Sequence, residues 1–196
     1  MRVADAAVPF EGDAFRRRLL RELAAALEEV VGLEEAAGYI GLVGQRIGDD
    51  VSDRYLEETG LERLDRGQVV DVLIDFERRI QGDFHLVSED EERIVLGNRC
   101  CPFGDGVRGV ESLCTMTSSL LGNITARHLG YAKVELVETI ARRHPACRVV
   151  IHLRRDSTAE QARGDEYFGE AASPAGNAPS ADGSPPDAVP VPGPTC

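Results

Sequence analysis

The spacing of apolar residues predicts three helices in the first part of the chain. Over residues 13–31, apolar side chains recur every three or four positions, which is the period of an amphipathic helix, and Gly32 follows as a stop. A second helix is expected over residues 34–58 before Gly60, and a third over residues 66–80. This part of the chain is therefore predicted to be helical.

A different pattern begins after these helices. Residues 83–88 and 93–97 are short runs of β-type side chains separated by an acidic turn, which predicts a hairpin. Residues 133–140 and 147–153 predict a second hairpin, and residues 111–129 between the two have the helical period. The prediction is an α+β fold, in which N-terminal helices accompany a roughly four-stranded antiparallel sheet made of two hairpins flanking a helix.

The composition changes near the end of the chain. Seven of the ten prolines follow residue 157, among Gly, Ser, Ala and Asp and without an apolar period. Such a segment buries too little apolar surface to offset the entropy lost on ordering. We expect a flexible N-terminus over residues 1–9, an ordered domain over residues 10–156, and a disordered tail over residues 157–196.

Charge and hydropathy narrow the possible partners and location. The net charge of −12 repels a phosphate backbone, so direct nucleic-acid binding is not expected. No stretch approaches the ~18 apolar residues of a membrane helix. The first fifteen residues lack the basic start and apolar run of a secretory signal. We expect a cytoplasmic protein that does not contact a membrane.

Three cysteines are candidates for a shared site. Cys101 falls in a loop after the first hairpin, Cys114 near the start of the following helix, and Cys147 at the start of the last strand. With one more ligand, three thiolates would bind zinc or an iron–sulfur cluster. The alternatives are that they are small buried hydrophobic residues, or that one is a redox-active or ligand-contacting thiol.

Four glycines lie along one side of the second predicted helix, at positions 38, 41, 44 and 48. Each costs about 1 kcal/mol relative to alanine inside a helix, so a geometric reason for small residues is expected. Either this side packs tightly against another element, or it forms the wall of a ligand cavity. On the second interpretation, the candidate ligand-contacting residues are Gly41, Gly44, Cys101, Phe103 and Met116.

Motifs of known enzyme classes are missing from the sequence. The four histidines show neither HxxxH nor HExxH spacing, and there is no GxSxG nucleophile motif or phosphate-binding loop. We therefore expect a binding protein rather than an enzyme.

The cysteine segment carries a family resemblance. It combines a Cys-Pro-Phe-Gly loop at 101–104, a Leu-Cys-x-Met run at 113–116, a helix bearing Gly122 and Ala126, and Cys-Arg-Val at 147–149. This pattern resembles the methanogen output domain, a small domain of prokaryotic signalling proteins. More distantly, it is similar to 4-vinyl reductase domains and to the cysteine region of SufR-type iron–sulfur repressors.

The resemblance implies a stand-alone signalling or ligand-sensing regulatory domain that binds a small molecule near the cysteine-bearing loop. Its expected partners are that ligand, a signalling protein and a second copy in a homodimer. The alternative is a zinc- or iron–sulfur-binding regulatory protein that uses Cys101, Cys114 and Cys147. The chain departs from the family pattern in its last turn, residues 142–146, and in the additional Cys100.

Overall fold

The protein is described by a computed structural model that covers residues 11–169. The three predicted helices are present as α1 (Gly12–Val31), α2 (Leu33–Thr59) and α3 (Arg66–Arg79). Gly60 ends α2 in the left-handed conformation, with a φ of 70° that favours glycine. Asp65 and Gln68 form a reciprocal capping box at the start of α3.

The remaining elements form one antiparallel sheet and its connections. They are β1 (Phe84–Glu89), β2 (Arg93–Asn98), a 3-10 turn (Gly104–Val107), α4 (Ser112–Leu129), β3 (Tyr131–Glu138), β4 (Cys147–His152), α5 (Ser157–Gln161) and β5 (Asp165–Phe168). The strand order is β1-β2-β4-β3-β5, and every neighbouring pair is antiparallel. The predicted α+β class is confirmed, with a fifth strand beyond the four that were expected.

The fifth strand extends the domain past the predicted boundary at residue 156. Asp156 caps α5 by accepting hydrogen bonds from the backbone of Thr158 and Ala159, and β5 then pairs with the edge of β3. Tyr167 is buried in the core. The apolar pattern of this segment is too short to signal a strand. The N-terminal segment before residue 11 and the tail after residue 169 lie outside the described residues.

The main core joins α2, α3 and α4 to the sheet. Its members with no exposed surface are aliphatic side chains: Val69, Leu73, Ile94, Leu96, Leu121, Ile124, Ala132 and Ile151. Burial of one such side chain contributes roughly 1.5–3 kcal/mol, so this layer dominates the stability of the domain. In the described range, no helix is long and apolar enough to span a bilayer.

A second, smaller apolar cluster lies beside the main core and positions the cysteines. Its buried members are Ala24, Val107, Val110, Leu113, Ile140 and Ala141. They bring together α1, the loop after β2, the start of α4 and the connection between β3 and β4. Cys101, Phe103, Cys114 and Cys147 pack against this cluster.

Candidate functional site

A small cavity of about 30 Å³ lies where the loop after β2, the start of α4 and the ends of β3 and β4 meet. Cys101, Cys114 and Cys147 all line it. The other lining residues are mostly apolar: Phe84, Asn98, Pro102, Phe103, Val107, Leu113, Thr117, Leu136, Thr139 and Val149. The structure thus brings the three predicted cysteines to one cavity.

The loop that covers the cavity is shaped by two glycines. Gly104 has a φ of 68° and donates its N–H to the carbonyl of Cys101 at 2.8 Å. Gly109 has a φ of 85° and donates to the carbonyl of Ala141 at 2.9 Å. Both occupy the left-handed region, which side chains other than glycine rarely adopt. The start of the loop is fixed by Asn98, whose side-chain oxygen accepts from the Asp83 backbone N–H at 3.1 Å.

The three cysteines are neutral thiols. Burial raises the pKa of Cys101 and of Cys114 to about 12, and it also raises the pKa of Cys147. The sulfur of Cys147 accepts a hydrogen bond from the Ile140 N–H at 3.3 Å. Thiolates, not thiols, are the nucleophiles and metal ligands. This cavity therefore presents protonated thiols at an apolar wall.

The predicted zinc or iron–sulfur site has no counterpart in residues 11–169. Within that range, no group of three His, Cys, Asp or Glu side chains is arranged to hold a metal ion. The cysteines share the lining of a cavity, but its remaining walls are mostly apolar and contain no further Cys, His, Asp or Glu. The structure provides no support for the metal-binding alternative.

A buried carboxyl group lies near the cysteines but outside the lining of their cavity. Glu77 of α3 is 1% exposed, and its Oε2 has no hydrogen-bond partner in the described structure. Burial raises the pKa of Glu77 to about 8, so the group is mainly protonated at neutral pH. It lies near enough to Cys101 and Cys147 that its negative charge raises the pKa of both thiols.

Sequence reasoning did not single out Glu77, although a signal for it was present. Val70 and Leu73 precede it at helical spacing and both are buried, so Glu77 falls on the apolar face of α3. A carboxyl on such a face is rarely buried without a function or a partner.

The family model for methanogen output domain 1 matches residues 19–152, about two thirds of the chain. The chain belongs to the methanogen output domain 1 family. The matched region spans α1 to β4 and includes all three cysteines and Glu77. No curated protein sequence matches the chain.

Two solved structures share the fold of this methanogen output domain. One is the phenol-responsive sensory domain of the transcription activator PoxR with phenol, at 15% identity and a TM-score of 0.58, covering 78% of this chain and 80% of that one. The other is trafficking protein particle complex subunit 3 from Naegleria fowleri covalently bound to palmitic acid. That match has 9% identity and a TM-score of 0.56, and it covers 72% of this chain and 96% of that one.

The five predicted ligand-contacting residues of this methanogen output domain separate into two groups. Cys101 and Phe103 line the cavity, whereas Gly41, Gly44 and Met116 are not among its lining residues. A β-carbon on Gly41 would lie 3.0 Å from the Ser119 hydroxyl oxygen, so this side of α2 packs directly on α4. The structure favours the close-packing interpretation of these glycines, because α4 lies against them, and ligand contact by Gly41, Gly44 and Met116 stays a prediction.

A larger cleft of about 580 Å³ near the end of α4 has a different character. Polar residues such as Asp49, Arg63 and Arg127 form much of its lining. Burial, followed by Arg127 and Arg63, lowers the pKa of His128 to about 4. The Nδ1 atom of His128 accepts a hydrogen bond from the Leu64 N–H at 3.2 Å, which gives this histidine a structural role.

Proposed function

We propose that this chain is a regulatory sensory domain that binds a small, mainly apolar molecule in the cysteine-lined cavity. The observation that carries the proposal is a cavity of thiols and mostly apolar side chains, covered by a glycine-bearing loop. The unpartnered carboxyl of Glu77 lies outside this lining but close enough to Cys101 and Cys147 to raise their pKa. Membership of an output-domain family supports a signalling role. The shared fold with a phenol-responsive sensory domain supports a small-molecule ligand.

The size of the cavity sets a condition on binding. A volume of about 30 Å³ accommodates little more than one water molecule, so a ligand enters only if the covering loop moves outward. This loop is held by the buried side chains of Val107 and Val110 and by the hydrogen bond from Gly109 to Ala141, so its opening must disturb these contacts. Binding therefore couples ligand occupancy to the position of the loop.

The chemistry of the lining favours a reversible ligand with one hydroxyl group. Apolar walls accept a hydrocarbon body, and a ligand hydroxyl that reached past the present lining to Glu77 would give its Oε2 a hydrogen-bond partner. A phenol has both features. A covalent acyl adduct is less well supported, because thiols with a pKa near 12 are weak nucleophiles at neutral pH.

Movement of the loop would be transmitted to α1. The Nε of Arg21 donates to the carbonyl of Gly106 in the loop at 2.8 Å. The backbone N–H of Ser112, where the loop joins α4, donates to Glu28 of α1 at 2.9 Å. A ligand that displaces the loop therefore changes the position of α1 on the domain, and a partner protein that binds α1 would respond to that change. Such a device needs no catalytic turnover.

The proposal is tested by thermal melts with a panel of monocyclic phenols and, separately, with palmitate. Thr117→Leu fills the cavity from α4, and Met116→Leu is its control, because Met116 lies on the same helix outside the lining. A ligand present at a hundredfold excess over its Kd stabilises the native state by about 2.7 kcal/mol.

We expect a phenol to raise the melting temperature of the unaltered chain and of Met116→Leu, but not of Thr117→Leu. An equal rise in Thr117→Leu would place the ligand outside the cavity. If palmitate stabilises the protein and the phenols do not, the proposed ligand is an acyl chain and not a phenol-like molecule. If neither class stabilises the protein, the sensory proposal fails.

A further inference from the structure

Helix α1 contacts the domain through several polar side chains in addition to Ala24 and Ala25. Arg17 contacts the side chain of Gln81, Arg21 donates to the carbonyl of Gly106, and Glu28 accepts from the Ser112 N–H. Ala24 is buried between these polar contacts. A surface helix ordinarily turns its apolar face toward the core and its polar face toward water. In α1 only the small side chains of Ala24 and Ala25 pack against the apolar cluster of the domain, and most of the larger apolar side chains lie on the exposed side.

The apolar face of α1 is exposed as a continuous row. Phe15, Leu19, Leu23 and Val30 are 54%, 44%, 59% and 80% exposed, and Ala26 completes their three- and four-residue spacing. This is the spacing with which one helix packs along another in a coiled coil. Single exposed leucines are ordinary, whereas a contiguous apolar row marks an interaction surface.

The first half of α2 extends the same kind of surface. Tyr39, Leu42 and Val43 are 60%, 46% and 48% exposed. The opposite side of α2 packs on α4 through Gly41 and Gly44, so these larger side chains face away from the domain. The two helices together therefore present an apolar surface that the described residues leave uncovered.

The charges of α1 indicate what covers this surface. Arginines occupy positions 16, 17, 18 and 21 in its first half, and glutamates occupy positions 22, 28 and 29 further along. Apart from Asp13, this distribution opposes the helix macrodipole, which favours acidic residues at the start and basic residues at the end. Arg16 and Arg21 form ion pairs within α1, with Asp13 and Glu22, but the distribution as a whole matches a copy of the helix that runs in the opposite direction.

This charge complementarity is clearest for Arg18 and Glu29. They are eleven residues apart, close to three helical turns, so they lie along the same edge of the apolar row. Neither forms an ion pair within residues 11–169, where the other arginines of this stretch have contacts. A two-fold axis near the level of residue 24 would bring Arg18 of one copy beside Glu29 of the other.

We infer that α1 pairs antiparallel with α1 of a second copy of this chain, with the exposed part of α2 extending the contact. In this arrangement Leu19 packs near Val30 of the other copy, and Leu23 packs near Ala26. A two-fold interface of this kind is self-complementary, as homodimer interfaces are. It does not depend on ligand binding, although α1 also touches the loop over the cysteine cavity.

Sedimentation equilibrium of the full chain tests the inference. We expect a dimer, and Leu23→Glu should convert it to a monomer, because two carboxylates would be buried across the two-fold axis. Leu23 is exposed in the single chain, so the circular dichroism melt of a monomeric Leu23→Glu variant should stay close to that of the unaltered chain.

A charge exchange tests the antiparallel direction. Arg18→Glu alone and Glu29→Arg alone should each weaken the dimer, by about tenfold in Kd, and the double exchange should restore it. Glu160→Arg is the matched control, since Glu160 is exposed on α5, away from α1. A monomer at about 100 µM would overturn the interface. If the unaltered chain is a dimer but the double variant associates as weakly as the single variants, the antiparallel geometry is overturned.

Discussion

Gly44 lies so close to Met116 that a β-carbon on it would stand 2.3 Å from the Met116 carbonyl oxygen. The obstructing atom belongs to the backbone of α4, so it cannot rotate away as a side chain would. This contact fixes how closely α2 approaches α4, and α4 in turn carries Cys114 to the cavity.

We expect Gly44→Ala to destabilise the domain by at least about 1–3 kcal/mol, because the two helices must move apart. Gly38→Ala is the control in the same helix, since a β-carbon there meets nothing within 4 Å. That change should stabilise the domain by up to about 1 kcal/mol through helix propensity. Urea unfolding measures both. A Gly44→Ala variant as stable as the unaltered chain would contradict the close contact.

Glu77 makes stability depend on pH. Its pKa is raised by burial from 4.5 to about 8, so the native state retains a proton that the unfolded chain loses above about pH 4.5. The contribution of this group to stability therefore falls as the pH rises from about 4.5 to 8. Glu77→Gln should remove that dependence and stabilise the domain near pH 8 by a few kcal/mol.

Urea unfolding at about pH 5 and about pH 9 measures the effect of Glu77. Glu160→Gln serves as the control, because Glu160 is exposed and should leave the pH profile unchanged. Parallel profiles for the unaltered chain and Glu77→Gln would show that this carboxyl is not buried in a charge-excluding site.

The thiols of the cavity should be unreactive in the native state. With a pKa of about 12, Cys101 and Cys114 have far less thiolate at pH 8 than cysteines of an unfolded chain. The difference corresponds to about three orders of magnitude in alkylation rate. Mass spectrometry of iodoacetamide-labelled peptides, with and without guanidinium, measures it. Native Cys101 labelling at the unfolded rate would refute the raised pKa.

Tyr167 anchors β5 to α4. Its hydroxyl lies 3.0 Å from the Ser119 hydroxyl, and a β-carbon on Gly122 would lie 2.1 Å from the tyrosine ring. We expect Tyr167→Ala to cost about 3–5 kcal/mol and Tyr167→Phe about 1 kcal/mol. Phe168→Ala, at a side chain that is 68% exposed, is the neighbouring control and should cost less than Tyr167→Ala. Thermal melts measure these losses of stability. Equal losses for Tyr167→Ala and Phe168→Ala would contradict this anchoring.

The local pattern of the sequence determined the elements of this fold. The period of apolar positions predicted four helices and two hairpins, and the glycine at position 60 ends α2 as expected. These features depend on neighbours within a few residues, because helix period, caps and turns are local. The α+β class followed from their order, and the resemblance around the cysteines led to the correct family.

The tertiary structure alone decided which elements meet. β4 inserts between β2 and β3, and it places Cys147 opposite Asn98, next to the start of the loop that carries Cys101. The glycines of α2 were compatible with a cavity or with close packing until α4 was found against them. β5 depends on a free edge of β3 and on space beside Gly122 for Tyr167. Each of these outcomes depends on contacts between residues distant in sequence, which no local pattern encodes.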